Sequence, residues 1–451
     1  MRYRGITIND IIVLFSIGFI IFLGHFLNKF FQWTKIPDLL ILMIIGIIAG
    51  PLLGLITVSD FGELGPLFAT VALVIILFEG GLSLKVRMIK TAFTRAAILT
   101  TVSFITAFFI SSAIVMVIFQ LPLIESLMFG AMIGGTSPAI VIPVAKYLNL
   151  TRNTLTLLVI ESVLSDVICI IVFTILRHAY ELGSIAASDM VFALIISFGL
   201  AGLAGFIPAI IWIFFTKDFR LSTTPFASIA LVFILYSIME MSGYSGAITA
   251  FVFGITLGNI GYFGAKWLKK GGETIKTVNL TEFEELFFGE IVFIIKTFFF
   301  IYIGISMEIS NTQVLLLGLI ITLVLLIVRI LVTYGTLSRK TPVRDSGVVA
   351  ITIPKGLAAA VLATVAVEMA IPGFNPIIDL VYSVILFSII VYSAMGILLR
   401  VPSVQKHFSS LFQSFGAGIQ EDDGCGFGNP GYLYSNDTAP LFDWLEPKRG
   451  E

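Results

Sequence analysis

An all-α polytopic membrane protein is the fold class predicted here, and three observations predict it. The first is composition. The 451 residues are 58% hydrophobic and only 12% charged, where soluble domains carry about 25% charged residues. The second is segmentation. Apolar runs long enough to span a bilayer fall at 8–27, 36–56, 66–84, 93–119, 123–145, 153–176, 188–216, 224–241, 245–262, 284–306, 312–336, 346–369 and 377–400, thirteen in all. The third is charge alternation. Connections after odd-numbered runs hold Lys29 and Lys35; Lys85, Arg87, Lys90 and Arg95; Lys146 and Arg152; Lys217 and Arg220; Lys266, Lys269, Lys270 and Lys276; Arg339, Lys340 and Arg344. Those after even-numbered runs hold only Arg177. A wrong helix count would scramble that pattern. The excess of positive charge on the inner side then predicts an N-terminus outside and a cytoplasmic C-terminus; Arg2 and Arg4 run against this and are outvoted.

The first run follows MRYRG and has the outline of a signal peptide, but it is long, lacks a small-residue cleavage site and serves as the first membrane helix. Residues 8–176 and 224–400 each supply six helices, with 188–216 as a single connector. An odd connector inverts the second six relative to the first, giving two inverted six-helix repeats. The fifth helix of each repeat is interrupted, by GGTSPAIVIP at 134–143 and by TIPKGLAAA at 352–360. Paired interruptions in corresponding helices point to a mid-membrane binding site, where freed backbone groups can face an ion. After Arg400 the composition turns polar and aperiodic. Residues 401–451 read as a cytoplasmic tail, partly disordered, whose Tyr432–Tyr434 and Leu441–Leu445 are candidates to dock on the membrane domain.

The charges at membrane depth carry the chemistry. They are Glu79, Glu161, Asp166, Glu290, Lys296, Arg329 and Lys355, and at about 2.5–3.5 kcal/mol each on insertion scales they require a partner or a wet cavity. At about 100° per residue, Ser162 and Asp166 share a helix face whereas Glu161 points about 140° away from Asp166. The two acids therefore face different surroundings. Asp166, with the hydroxyls of Ser162 and Ser165 beside it, is the candidate carboxylate for a hard cation or, alternately, a proton. Glu161 reads as structural, with Arg329 as its bidentate partner. Lys355, in the second interruption, either stabilises opposed half-helix ends or pairs with a carboxylate during transport. Lys296 pairs with Glu290 or reaches to the membrane surface. Glu79 is either a rim charge at a cation entrance or an ordinary helix-end acid.

Other chemistry is excluded or unsupported. His25, His178 and His407 are scattered, so no resident metal site is expected. Cys169 and Cys425 imply no disulfide framework. No nucleotide-binding motif occurs, no cofactor is implied and nothing suggests nucleic acid. An intramembrane aspartyl protease would need two facing aspartates, and Asp166 has no second deep aspartate. A cation (K⁺) channel or uniporter without proton coupling is the alternative to exchange.

LFEGGLSL (77–84), GGTSPAIVIPVA (134–145), ESVLSDV (161–167), Arg329 and IPKGLAAAVLA (353–363), in this order, make residues 8–400 resemble NhaP-type sodium/proton antiporters of the monovalent cation/proton antiporter superfamily. The resemblance implies the NhaA/NhaP-like antiporter fold. Helices 1–3 and 8–10 (8–84 and 224–306) would form a dimerisation part. Helices 4–6 and 11–13 (93–176 and 312–400) would form an ion-translocating core that moves in an elevator-like way, with 188–216 connecting the two. It implies a homodimer in a prokaryotic inner or plasma membrane, exchanging Na⁺, or else Li⁺ or K⁺, for H⁺ in pH homeostasis. It also implies that Asp166 binds the cation, that Ser162 and Thr136 assist, that Glu79 lies nearby, and that Glu161 and Arg329 form a structural pair. Ser137, Ser165 and Lys355 are candidate lining residues, and here the sequence departs from the family. Ser165 stands where an Asn or a second Asp is usual, Ser137 where an Asp is frequent, and Lys355 where Arg is common. One exchanging carboxylate implies electroneutral exchange.

Overall fold

The computed structural model describes residues 18–27, 36–61, 64–84, 86–182, 199–213, 215, 224–259, 282–401, 404, 408 and 410–416. Every regular element among them is helical. A bilayer offers the backbone no hydrogen-bond partners, so an apolar span satisfies its own amides and carbonyls as a helix. In chain order the helices are α1 (18–27), α2 (Asp38–Ile47, continued by a π turn at Ile48–Leu52), α3 (Val58–Phe61), α4 (Leu64–Ser83), α5 (Val86–Phe119), α6 (Leu123–Ile133), α7 (Pro138–Tyr147) and α8 (Arg152–Leu182). They continue with α9 (199–213), α10 (Thr224–Met241), α11 (Gly246–Gly258), α12 (Glu282–Ser306), α13 (Thr312–Thr336), α14 (Val343–Ile351), α15 (Leu357–Glu368) and α16 (Asn375–Leu398). Each of the thirteen expected spans thus contains described helix. Six stretches are long and apolar enough to cross a membrane by length and composition: Thr94–Phe119, Leu123–Tyr147, Arg152–Glu181, Leu286–Ser306, Thr312–Thr336 and Asn375–Leu398. The others are shorter, and parts of the runs 8–27 and 188–216 lie outside the described residues.

Two packing groups emerge. In one, α4 lies along α11, α12 lies along α2 and α4, and α10 covers α11. Its core includes Phe78, Phe253 and Phe288, with the Phe288 ring edge-on to Phe78 at 5.3 Å. Gly46 and Gly304 let α2 and α12 cross almost backbone to backbone. A Cβ on Gly46 would stand 2.2 Å from the Ile301 carbonyl oxygen, and one on Gly304 2.2 Å from that of Met43. Just beyond, Pro51 has no amide to give and its ring crowds the preceding turn, which opens into the π turn. In the other group, α5 packs on α6, α8 and α13, while α13 packs on α14 and α16. The groups meet where α15 touches α4 and α12 and where α16 touches α2.

Both interruptions are open. Between α6 and α7 the chain is non-helical from Gly134 to Ser137, and between α14 and α15 from Thr352 to Gly356. Prolines set these limits. The residue before a proline is driven out of the helical region, and Ser137 accordingly sits at φ −84°, ψ 119°, with Pro138 opening α7.

Part of the segment after Arg400 packs on the membrane domain. Phe408, Phe412 and Phe415 recur at helical spacing and pack on the fold, with Phe412 fully buried among residues of α5, α7, α8, α13 and α14. The Arg339 guanidinium lies 4.4 Å from the centroids of both Tyr334 and Phe415, and its Nη1 donates to Ser414 Oγ at 2.7 Å. Tyr432–Tyr434 and Leu441–Leu445 lie outside the described residues.

Candidate functional site

The two interruptions cross each other. The Ser137 amide donates to the Pro354 carbonyl at 2.9 Å. Gly356 makes the approach possible, because a Cβ there would lie 2.1 Å from Ser137 Oγ and 2.3 Å from Ser137 Cβ. Lys355, 4% exposed, points across the crossing. Its Nζ donates to the Gly135 carbonyl at 2.8 Å and its amide donates to Ser388 Oγ at 2.9 Å. Gly135 follows the C-terminal end of α6, so the ammonium meets the negative end of that helix dipole. Of the two roles open to Lys355 from sequence, this geometry displays contact with a half-helix end.

Helix α8 runs past the crossing. The Thr136 amide donates to Ser165 Oγ at 3.0 Å, and Ser165 Oγ in turn donates to the Ser162 carbonyl at 2.9 Å. Thr136 Oγ1 lies 3.4 Å from Ser165 Oγ. Ser165 therefore pins the extended stretch to α8 rather than offering a free oxygen. Ser162 behaves differently: its Oγ is buried and has no hydrogen-bond partner among the described residues. One turn on, on the same face, stands half-buried Asp166. A Cβ on Gly135 would be 3.4 Å from Asp166 Oδ1, which places the carboxylate beside the first interruption. Lys296 and Lys355 both act on it electrostatically.

Glu79 enters from α4. Its neighbour Gly80 would carry a Cβ 3.6 Å from Val163 of α8, so the acid stands at the seam between α4 and α8. Lys296 Nζ approaches Glu79 Oε2 to 3.7 Å, with both side chains partly exposed. This overturns the pairing of Lys296 with Glu290. Six residues apart on one helix, those two side chains diverge by about 120°, and Glu290 instead approaches His25 Nε2 at 3.7 Å on an exposed face.

Glu161 lies on the other side of α8, 1% exposed, and Arg329 of α13 is 4% exposed. The guanidinium engages both carboxylate oxygens, through Nη1 to Oε1 and through Nη2 to Oε2 at 2.9 Å. Its remaining donors reach the Val349 carbonyl at 3.0 Å and Ser103 Oγ at 2.7 Å. One cation thus joins α8, α13, α14 and α5. Sequence reasoning missed Ser103, Ser388 and the place of Lys296. The serines carry no positional signal in an apolar helix, while Lys296 was visible as a deep charge without a legible partner.

The donor set around Asp166 is carboxylate and hydroxyl oxygen, suited to a hard cation or a proton. No cluster of three or more His, Cys, Asp or Glu side chains that could hold a resident metal occurs among the described residues.

Comparison with known proteins agrees with this architecture. The family model described as sodium/hydrogen exchanger, transmembrane, matches residues 18–400. Na(+)/H(+) antiporter 1 of Methanocaldococcus jannaschii is 25% identical over 253 residues, 54% of this chain and 59% of that one. Sodium/hydrogen exchanger 8 of Arabidopsis thaliana is 27% identical over 254 residues, 52% of this chain and 33% of that one. The K(+)/H(+) antiporter NhaP2 of Shewanella oneidensis is 28% identical over 232 residues, 50% of this chain and 40% of that one. The match thus spans between 33% and 59% of these relatives' own lengths. Among solved structures, the sodium proton antiporter MjNhaP1 from Methanocaldococcus jannaschii superposes with a TM-score of 0.71 at 22% identity, covering 89% of this chain and 99% of that chain, a likeness of fold. With the family model covering most of its 451 residues, this chain belongs to the sodium/hydrogen exchanger family, whose members are integral multi-pass membrane transporters and not enzymes.

Proposed function

We propose that the protein exchanges a monovalent cation for H⁺ across the membrane by alternating access, with cation and proton taking Asp166 in turn. The observation that carries this reading is one unsatisfied hydroxyl beside a carboxylate on α8. The buried Ser162 hydroxyl without a partner stands one turn before the half-buried Asp166, beside the crossing of two broken helices. A buried hydroxyl left unpaired costs about 1–3 kcal/mol. A cation bound between it and the carboxylate supplies the missing partner.

Na⁺ is the first candidate, with Li⁺ and K⁺ as the others; relatives described as Na(+)/H(+) and as K(+)/H(+) antiporters fit either choice. Thr136 adds an oxygen from the first interruption and Glu79 a charge from the facing helix. Ser137, Ser165 and Lys355 hold the crossing in shape, and the Glu161–Arg329 pair braces the core. A single exchanging carboxylate makes the stoichiometry one cation for one proton, hence electroneutral.

In this reading residues 8–84 and 224–306 form a dimerisation part and residues 93–176 and 312–400 a moving core built from inverted repeats, with 188–216 between them; the two packing groups of the described helices support it. The chain forms a homodimer in a prokaryotic inner or plasma membrane, N-terminus outside and C-terminus inside, and serves pH homeostasis. Protons displace the cation, so the half-saturating cation concentration rises as pH falls, by about tenfold per unit once the carboxylate is mostly protonated.

The test uses vesicles acid-loaded with a quenched dye. Adding Na⁺, Li⁺ or K⁺ in turn gives dequenching for a transported cation and ranks selectivity. Asp166→Asn abolishes the signal in a folded protein; exchange retained in that variant refutes the assignment. A dependence of the rate on membrane potential would refute electroneutrality.

A further inference from the structure

Helix α7 has ten residues with Pro143 inside, which withholds one amide from its hydrogen-bond ladder. Helices of this length are marginal without outside contacts. Thr136 nevertheless stands just before its start, so whatever holds α7 also places that hydroxyl. At its first end the crossing holds it, through the Ser137 amide on the Pro354 carbonyl. At its other end the ties come from α14 and α16. Arg344, in the first turn of α14, donates through Nη2 to the Leu148 carbonyl. Arg400, just past α16, donates through Nη2 to the Tyr147 carbonyl, and its guanidinium lies 3.6 Å from the centroid of the Tyr147 ring. Two cations thus meet the negative end of the α7 dipole. Asn149 then turns the chain at φ 50°, and α8 begins at Arg152. Asp345 of α14, 2% exposed, meets that beginning. Its Oδ2 accepts from the Thr151 amide at 3.1 Å and from the Thr151 hydroxyl at 2.5 Å. An anion there matches the positive end of α8. Between these ties Gly396 lets α16 lie close along α7, since a Cβ there would stand 3.3 Å from Val144 Cγ1.

We propose that Arg344, Asp345 and Arg400 are positioning residues, a polar clasp that joins the end of α7 and the start of α8 to α14 and α16 and thereby sets where α7 presents Thr136 to the transported cation. This rests on the cation being held at Asp166 with Ser162 and Thr136. The clasp itself touches no ion. Ten residues at about 1.5 Å each put it roughly 15 Å from the first interruption, so its influence on the ion runs through the placing of α7. With both ends held, α7 neither tilts about the crossing nor slides along α16, and Thr136 keeps its register with Ser165 of α8. Each link is a hydrogen bond with a charged partner, stronger than a neutral one. The chain leaves the first interruption through α7 and enters the second through α14, so one clasp steadies both broken stretches from the same end.

The test is exchange by purified protein in liposomes, with the melting temperature of each variant recorded alongside. Asp345→Ala and Arg400→Met each raise the half-saturating cation concentration by roughly three- to tenfold, the worth of one oxygen contact, while the maximal rate changes little. Asp345→Asn keeps an accepting oxygen in the same place and stays close to the unmodified chain. In a Thr136→Ala background, Asp345→Ala gives no further rise, because the oxygen it would misplace is already gone. If Asp345→Ala does not fold, Thr151→Ala deletes only the hydroxyl link and gives a smaller rise, roughly twofold. A folded variant with a lower melting temperature and an unmoved half-saturating concentration overturns the proposal, since the clasp then only stabilises the fold. So does a full further rise in the Thr136→Ala background. Asp166→Asn measured in parallel separates the two readings: exchange retained there defeats the site assignment itself, whereas silence there with an unmoved Asp345→Ala defeats only the role given to the clasp.

Discussion

Substitution of Arg329 by methionine tests the brace on α8 most directly. The change removes a guanidinium that touches both Glu161 oxygens, the Val349 carbonyl and Ser103 Oγ. Glu161, 1% exposed, is left as a buried carboxylate stripped of its guanidinium partner. Breaking one side of a buried pair costs about 3–5 kcal/mol. With an unfolding entropy of about 2.1 cal/mol/K per residue over about 400 residues, this lowers the melting temperature by roughly 4–6 °C. Thermal unfolding of detergent-solubilised protein reads that shift. The double variant Glu161→Met, Arg329→Met removes both charges and fills similar volume with thioether side chains. It therefore loses less than Arg329→Met alone, because desolvation of two charges offsets much of what their attraction contributes. If the losses of the two single variants simply add in the double variant, the residues are not energetically coupled and the brace is refuted.

Ser162→Ala raises the half-saturating cation concentration by roughly three- to tenfold, the worth of one oxygen contact, measured by dye dequenching. Without cation its melting temperature rises by about 1–4 °C, since the change removes a buried hydroxyl that bonds no described residue. Gly356→Ala forces a Cβ to within 2.1 Å of Ser137 Oγ and sharply lowers the yield of folded protein. Ser137→Gly in the same chain, which also removes the Ser137 Cβ 2.3 Å away, restores part of that yield on size-exclusion chromatography. Phe412→Ala empties a fully buried ring site, costs about 3–5 kcal/mol where the cavity cannot collapse, and speeds proteolysis beyond residue 401. Equal cleavage rates in the two chains would mean that the segment is not held by that ring.

Much of this architecture was legible because the bilayer removes choices. An apolar span must be a helix, so run length located the elements, and glycine and proline inside two runs located the breaks at 134–137 and 352–356. Periodicity also separated the acids of α8. At about 140° apart, Glu161 became 1% exposed while Asp166 stayed half-buried near the crossing. What spacing cannot supply is the partner of a charge that leaves its own helix. Glu290 was the nearest acid to Lys296 in sequence, yet the helix turns it to another face, and the closer carboxylate is Glu79 from α4. Ser165 shows the same limit in hydroxyl form. Its position beside Asp166 marks it as a lining residue, but its oxygen is already engaged with the Thr136 amide and the Ser162 carbonyl. The Ser162 hydroxyl, three residues earlier, has no such engagement. Two serines indistinguishable by composition thus differ in the one property that matters for holding an ion, and only the packing of the first interruption against α8 decides which of them remains available.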